Sequence, residues 1–403
     1  MYLLRFLNGV SSAGAENSIL RATRVEYRLA CSGELFNRDV ITSDWRKSDV
    51  TRILLRAPFE IFVVSTPFDA FPQELALRFS VDYATEKTDV AISTFLPDEE
   101  IAEDLCAFLT LLSRRMIAPI VKTREQADYS GEALGSFLAD RPMPLLPMRA
   151  VPAWRRRPLS IAVGPDRQEV RSYDPAPVRV SPEALETTLR AFAASLSADA
   201  LLNAAKLYKT AMELIESRPD ISYQLLISTA ESLANVALPE YQPDEEERIA
   251  SKKSLTQYAR KCGVGEDQAR KIALEACRGN PWSKRKFRLF LSRYASDDIW
   301  QPDDVFIPPP NLCPDPGDFD KVLGRIYELR SQNLHAGSSF PPSIGLGTSP
   351  FYKAKDLPLD FLSKAEIPAV VWFERVVSSA AQALAAEVTK TKRPFEGLEG
   401  RRL

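Results

Sequence analysis

The spacing of apolar residues changes character part-way along the chain. Before about residue 140, β-branched and aromatic runs with partial two-residue alternation occupy Val25–Cys31, Glu60–Ser65, Leu75–Ala84 and Asp89–Phe95, which predicts strands. The opening run from Met1 to Leu7 reads as another strand. Among them Pro97-Asp98-Glu99-Glu100 opens a helix that carries Leu105, Phe108, Leu109, Leu112 and Met116. Its acidic first turn and Arg114-Arg115 near its end suit the helix dipole. From Ser181 onward the period becomes three and four. Pro182 starts one helix. Leu201, Ala204, Ala205, Tyr208, Ala211, Met212 and Ile215 mark the next, which Pro219 ends, and Tyr223–Val236 follows. Phe319, Val322, Leu323, Ile326 and Leu329 give a buried face to a later helix, and Ile367 to about Val388 closes the set.

Between these halves, the stretch from Arg141 to Pro182 is proline-rich, with one or two short strands, such as Leu159–Val163, and the triplet Arg155-Arg156-Arg157, read as a solvated run. The expected fold class is therefore α+β. A mixed α+β domain covers residues 1–140, a Pro/Arg-rich linker 141–180, an all-helical bundle 181–390 and a charged tail 391–403.

Composition narrows the function classes. The chain has 403 residues, 45% hydrophobic and 26% charged, with a net charge of −2, so any affinity for polyanions must come from a local patch. Five scattered cysteines form no Cys-x-x-Cys pair, and one histidine cannot complete a zinc site with them; reduced thiols in a cytoplasm are the expectation. No glycine-rich phosphate loop or dinucleotide fingerprint occurs. The expectation is no metal and no cofactor. The apolar start is too short for a secretory signal, and Glu366 and Glu374 bracket too short a run to span a bilayer, so no membrane partner is expected.

The segment Ser251–Tyr294 holds twelve cations and three anions, a local excess of nine positive charges. Trp282, Phe287, Phe290 and Tyr294 are interleaved with Lys284, Arg285, Lys286 and Arg288. Cations for phosphates and aromatics for unstacked bases suit single-stranded RNA. The same aromatic spacing also fits the core face of a helix with a basic outer face. The acidic run Asp244–Glu247 ahead of it reads as a solvated loop.

His335 is the only histidine, in the string Arg330-Ser331-Gln332-Asn333-Leu334-His335-Ala336-Gly337. Imidazole is the side chain whose ordinary pKa, about 6.5, lies in the working pH range. Arginine is a planar, permanently charged fork for phosphate. The pair lies at the C-terminal end of the Phe319–Leu329 helix, where Gly337 can cap it. Because five residues turn a helix by about 500°, the two side chains diverge by roughly 140°. A pair set in a groove predicts that replacing either residue removes activity with little loss of stability. Glu231, in the Tyr223–Val236 helix, admits two readings: a solvent-facing carboxylate, or one that orients the arginine or the histidine.

Arg330, His335 and the small residues Ala336-Gly337 resemble the R-x4-H motif of the HEPN superfamily, and the layout is similar to its Apea-like branch. The helix Tyr223–Leu233, with Ala230-Glu231, resembles the helix that precedes the motif in those members. The resemblance covers about residues 185–390. Ser331 stands where the family often has Asn, Asp or His, and Asn333 is the polar residue that would take the supporting role. The resemblance implies a metal-independent endoribonuclease acting as a homodimer through the Arg330/His335 helix. Its products would be 2′,3′-cyclic phosphate and 5′-hydroxyl ends. His335 and Arg330 would be catalytic, supported by Asn333 and Glu231, while Lys284, Arg285, Lys286, Arg288 and Trp282 would bind RNA. It also implies a setting in prokaryotic antiphage defence or stress response, with a regulatory protein or phage trigger as a further partner. The alternative is a catalytically silent nucleotide-binding, RNA-binding or dimerisation module, which the departure at Ser331 favours.

Overall fold

The computed structural model describes residues 19–31, 59–64, 73–85, 97–114, 116–128, 139–142, 161–163, 168–170, 187–189, 191–192, 195, 197–215, 217–278, 282–300, 314–345 and 367–390. Strands β1 (Ile19–Cys31), β2 (Phe59–Val64) and β3 (Gln73–Thr85) precede helix α1 (Pro97–Ser113). β4 (Ile117–Asp128) and β5 (Ala139–Pro142) complete an antiparallel sheet in the order β2-β3-β1-β4-β5. A small ribbon pairs β6 (Ile161–Val163) with β7 (Gln168–Val170). The rest is helical: α2 (Ala198–Leu214), α3 (Pro219–Ala237), α4 (Glu245–Ser251), α5 (Lys253–Lys261), α6 (Glu266–Glu275), α7 (Ser283–Tyr294), α8 (Phe319–Ala336) and α9 (Val370–Lys390). The expected strands at Met1–Leu7 and Asp89–Phe95, the Arg155 triplet and the tail from residue 391 lie outside the described residues.

α2, α3, α7, α8 and α9 form a bundle because each carries an apolar stripe at helical spacing. Leu201, Ala204, Ala205, Tyr208, Ala211 and Met212 bury α2, and Tyr223, Leu226, Ile227, Ala230, Leu233 and Ala234 bury α3. α9 is buried on nearly all sides around Val370–Val377, the pattern of a central helix. Tyr223 of α3 stacks on Phe373 of α9, with ring centroids 4.8 Å apart and planes 9° from parallel.

α1 belongs to the same core. It packs against α2, α9 and β4, and a single apolar cluster runs from Leu29 and Leu77 of the sheet through Phe108 to Phe373. Tyr27 and Leu77 are cross-strand partners, so β1 and β3 present these residues together. The division expected near residue 140 thus falls between elements that share one interior. α1 also ends earlier than its apolar pattern suggested, at Ser113. Arg114 takes a left-handed turn at φ 56°, and Met116 belongs to the approach to β4. Arg114 does not complement the end of α1. It turns inward and donates to the fully buried Glu374 of α9 through Nε (3.4 Å) and Nη2 (3.0 Å), while Tyr208 Oη donates to the same carboxylate at 2.5 Å. Three hydrogen bonds offset the desolvation of a charge that would be costly alone.

Two further local expectations are corrected. Pro219 begins α3, where its missing N–H costs nothing. The acidic run is not a loop: Asp244 caps α4, its carboxylate accepting from the Glu247 amide at 2.8 Å, and Glu245–Glu247 fill the first turn. α4, α5 and α6 pack on one another as a lobe. Their buried residues Ala259, Ala269, Ala273 and Cys277 lie apart from the main cluster.

Candidate functional site

α8 presents Leu323, Ile326 and Leu329 to the interior and stops at Gly337, whose φ of 66° and N–H to the Asn333 carbonyl close the last turn. Its polar positions Tyr327, Arg330 and Asn333 recur every three residues and form a ladder with α3. Arg330 Nη2 lies 2.7 Å from Glu231 Oε2, with the two side chains 24% and 16% exposed. Tyr327 Oη donates to the other oxygen of Glu231 at 2.8 Å. The guanidinium carbon of Arg330 sits 5.6 Å from the centroid of the Tyr327 ring, a cation–π distance. One rung further, Gln224 Nε2 donates to Asn333 Oδ1, and Asn333 Nδ2 donates to the Ser338 carbonyl at 2.6 Å.

Glu231 therefore has both oxygens engaged, and Arg330 is fixed in direction by an acid below and a ring beside it. Burial, reinforced by the hydrogen bond and charge of Glu231, pushes the Tyr327 phenol up to about 12. Tyr327 is thus a neutral donor throughout the physiological range.

His335 does not join this ladder. It is exposed in the last turn of α8, roughly 140° around the helix from Arg330, next to Leu334, which is 55% exposed. Of the four residues named for catalysis, Arg330 and Glu231 are in contact. Asn333 contacts Gln224 one turn away, and His335 points elsewhere. Tyr327 and Gln224 are the members that reading the sequence missed. Their signal was spacing: Gln224 and Glu231 are seven apart on α3, facing polar positions three apart on α8.

The basic segment looks different once folded. Lys284 pairs with Glu328 at 2.8 Å, Arg285 with Glu247, and Arg288 with Asp320. Arg270 pairs with Glu246 at 2.8 Å and Arg293 with Glu387 at 3.7 Å. Lys286 Nζ donates to the Pro239 carbonyl at 3.4 Å. Acids from outside the segment thus offset much of its positive excess. Phe287, Phe290 and Tyr294 are buried in the core, so they are not stacking platforms; Phe287 packs 5.5 Å from Tyr327 and supports the ladder from within.

Trp282 is the exception among these aromatics. It is partly exposed, takes a left-handed backbone at φ 55°, and occupies the cap position of α7 without a capping side-chain bond. Together with Lys284, Arg285, Arg288 and Tyr327 it lines a cleft of about 590 Å³ facing Glu247 and Ser251 of α4. Tyr327 thus stands on both the cleft and the Arg330 ladder. Among the described residues, no group of three or more histidine, cysteine, aspartate and glutamate side chains is placed to hold a metal ion, and no helix is long and apolar enough to cross a membrane.

Comparison of the chain with protein-family models, with curated proteins and with solved structures finds no match.

Proposed function

We propose that the protein is a metal-independent endoribonuclease of the HEPN type. The observation that carries the reading is the fixed direction of Arg330. Glu231 and Tyr327 set the guanidinium on a helix whose exposed end carries His335, the only imidazole of the chain. An arginine has five donors, and the Glu231 contact engages Nη2, which leaves Nε and Nη1 to address a phosphate. In the reaction, His335 takes the proton of a ribose 2′-hydroxyl as its oxygen forms a bond to the adjacent phosphorus. Arg330 stabilises the charge that builds on the phosphate oxygens. The bond from phosphorus to the 5′-oxygen breaks, and that oxygen takes a proton from water as it leaves. The ends are a 2′,3′-cyclic phosphate and a 5′-hydroxyl.

Because Arg330 and His335 diverge around α8, one chain presents the pair poorly. A homodimer about a two-fold axis lets the arginine of one copy work with the histidine of the other. Within this reading the sheet and α1, in residues 1–140, serve as the α+β regulatory or sensor part of a shared core. The protein acts in the cytoplasm, in antiphage defence or stress response, under a regulatory or phage-derived trigger.

One observation favours a second reading. The Glu231 carboxylate already neutralises Arg330, as it would in a catalytically silent RNA-binding or dimerisation module. The two readings separate when pure protein is incubated with single-stranded RNA in EDTA and the ends are analysed. Cyclic phosphate formed by wild type but not by His335→Ala supports cleavage. No cleavage by an RNA-binding dimer supports the silent module.

A further inference from the structure

The cleft beside Trp282 lies where two separately packed units meet. One wall is the lobe of α4–α6, whose small alanine-rich interior stands apart from the main core. The other is the bundle, through the start of α7 and Tyr327 of α8. Its volume of about 590 Å³ falls within the roughly 300–1,000 Å³ of small-ligand sites, which favour such boundaries. The lining holds Lys284, Arg285 and Arg288 against the one carboxylate of Glu247, with Trp282 and Tyr327 as aromatic surface. Each of the three cations is paired with a partly or largely exposed acid, a contact weak enough for an incoming phosphate to compete. Arginine forks match a phosphate in geometry as well as charge. Trp282 keeps its place at the cost of a left-handed backbone, a conformation that clusters at binding sites.

We infer that this cleft seats one unstacked nucleotide of single-stranded RNA, its base against Trp282 and its phosphate between Arg285 and Arg288. The inference rests on the ribonuclease reading for the choice of RNA, since Tyr327 joins the cleft to the Glu231–Arg330 pair. An acidic peptide would satisfy the cations but leave the aromatic surface unused. A base needs both.

The test is anisotropy binding of a labelled 2′-O-methyl tetranucleotide, which lacks the attacking hydroxyl and stays intact. Trp282→Leu should weaken binding roughly 5- to 150-fold, the span of base–aromatic stacking, and Trp282→Phe should retain most of the affinity. Arg288→Ala, at a partly exposed site, should lower the slope of log affinity against log salt by about 0.7. Circular dichroism melting establishes that each variant is folded. Unchanged affinity in both Trp282→Leu and Arg288→Ala overturns the inference, as does equal displacement of the probe by an abasic tetranucleotide or by poly-glutamate. Cleavage in EDTA is scored separately. If wild type binds through Trp282 and Arg288 but cuts nothing, the cleft stands and the ribonuclease reading falls. If it cuts while the cleft variants bind normally, the cleft falls alone.

Discussion

Glu231 and Arg330, on helices α3 and α8, form an ion pair at 2.7 Å in which the carboxylate also accepts from Tyr327. The arginine is therefore a structural residue as well as the proposed phosphate ligand. This revises the expectation that Arg330→Ala leaves stability intact. The pair is partly buried, between the exposed limit of about 0–1 kcal/mol and the buried limit of about 3–5 kcal/mol, so the substitution should cost about 1–2 kcal/mol in urea unfolding. In a double-mutant cycle, Glu231→Gln with Arg330→Ala should lose less than the sum of the single losses. Additive losses would show that the two side chains do not couple.

His335→Ala should behave differently. An exposed side chain in the last turn of α8 contributes within about 0.5 kcal/mol, so melting should barely move. Under the proposed function the same variant forms no cyclic phosphate. Full cleavage by His335→Ala would end the catalytic assignment.

Tyr327 gives a pH signature. Its folded pKa, about 12, lies above the ordinary phenol value near 10, so the folded state prefers the protonated ring. The stability this contributes is complete below pH 10 and is lost as pH rises from 10 towards 12. The near-ultraviolet phenolate absorbance of wild type minus that of Tyr327→Phe should show a late step in this window. In Glu231→Gln the step should come earlier, because the negative charge of Glu231 helps hold the phenol proton. A step at pH 10 in wild type would contradict the ladder geometry.

Gly337→Ala isolates the end of the motif helix. A methyl at this glycine meets nothing within 4 Å, so the cost is the left-handed backbone alone, about 1–2 kcal/mol. Urea unfolding measures it, and a loss near zero would mean that α8 can end another way.

The bounds of α8 and its cap were legible because Leu323, Ile326, Leu329 and Gly337 carry a local code, a three-and-four period followed by a left-handed stop. β4 was not. It follows α1 after a left-handed turn made by Arg114 rather than glycine, so no turn residue announces it. Pro219 was read as a stop, although the same fixed φ serves the first turn of a helix. Arg330 and His335 were legible as types, but the choice of partner was not. Glu231 was open between solvent and site until α3 and α8 were side by side. The ion-pair partners of the 251–294 segment were hidden for the same reason. Counting along the chain leaves out Glu247, Asp320, Glu328 and Glu387, which arrive from other elements.

The contact of Arg114 with Glu374 makes the early and late parts of the chain chemically dependent on each other. Glu374 lies in the second turn of α9 and is wholly buried, and Arg114, just past the end of α1, is the cation seen to meet it. A fragment cut near residue 140 would carry that carboxylate without Arg114, and the faces of α2 and α9 that α1 covers would be bare. Arg114→Ala should reproduce this in the intact chain at a cost of about 3–5 kcal/mol, partly restored by adding Glu374→Leu, with chemical denaturation as the measure. An excised helical region is then a poor surrogate for the protein. Displacement of α1 by anything that acts on the sheet would draw Arg114 away from a buried anion, so a disturbance there reaches α9 as an electrostatic penalty.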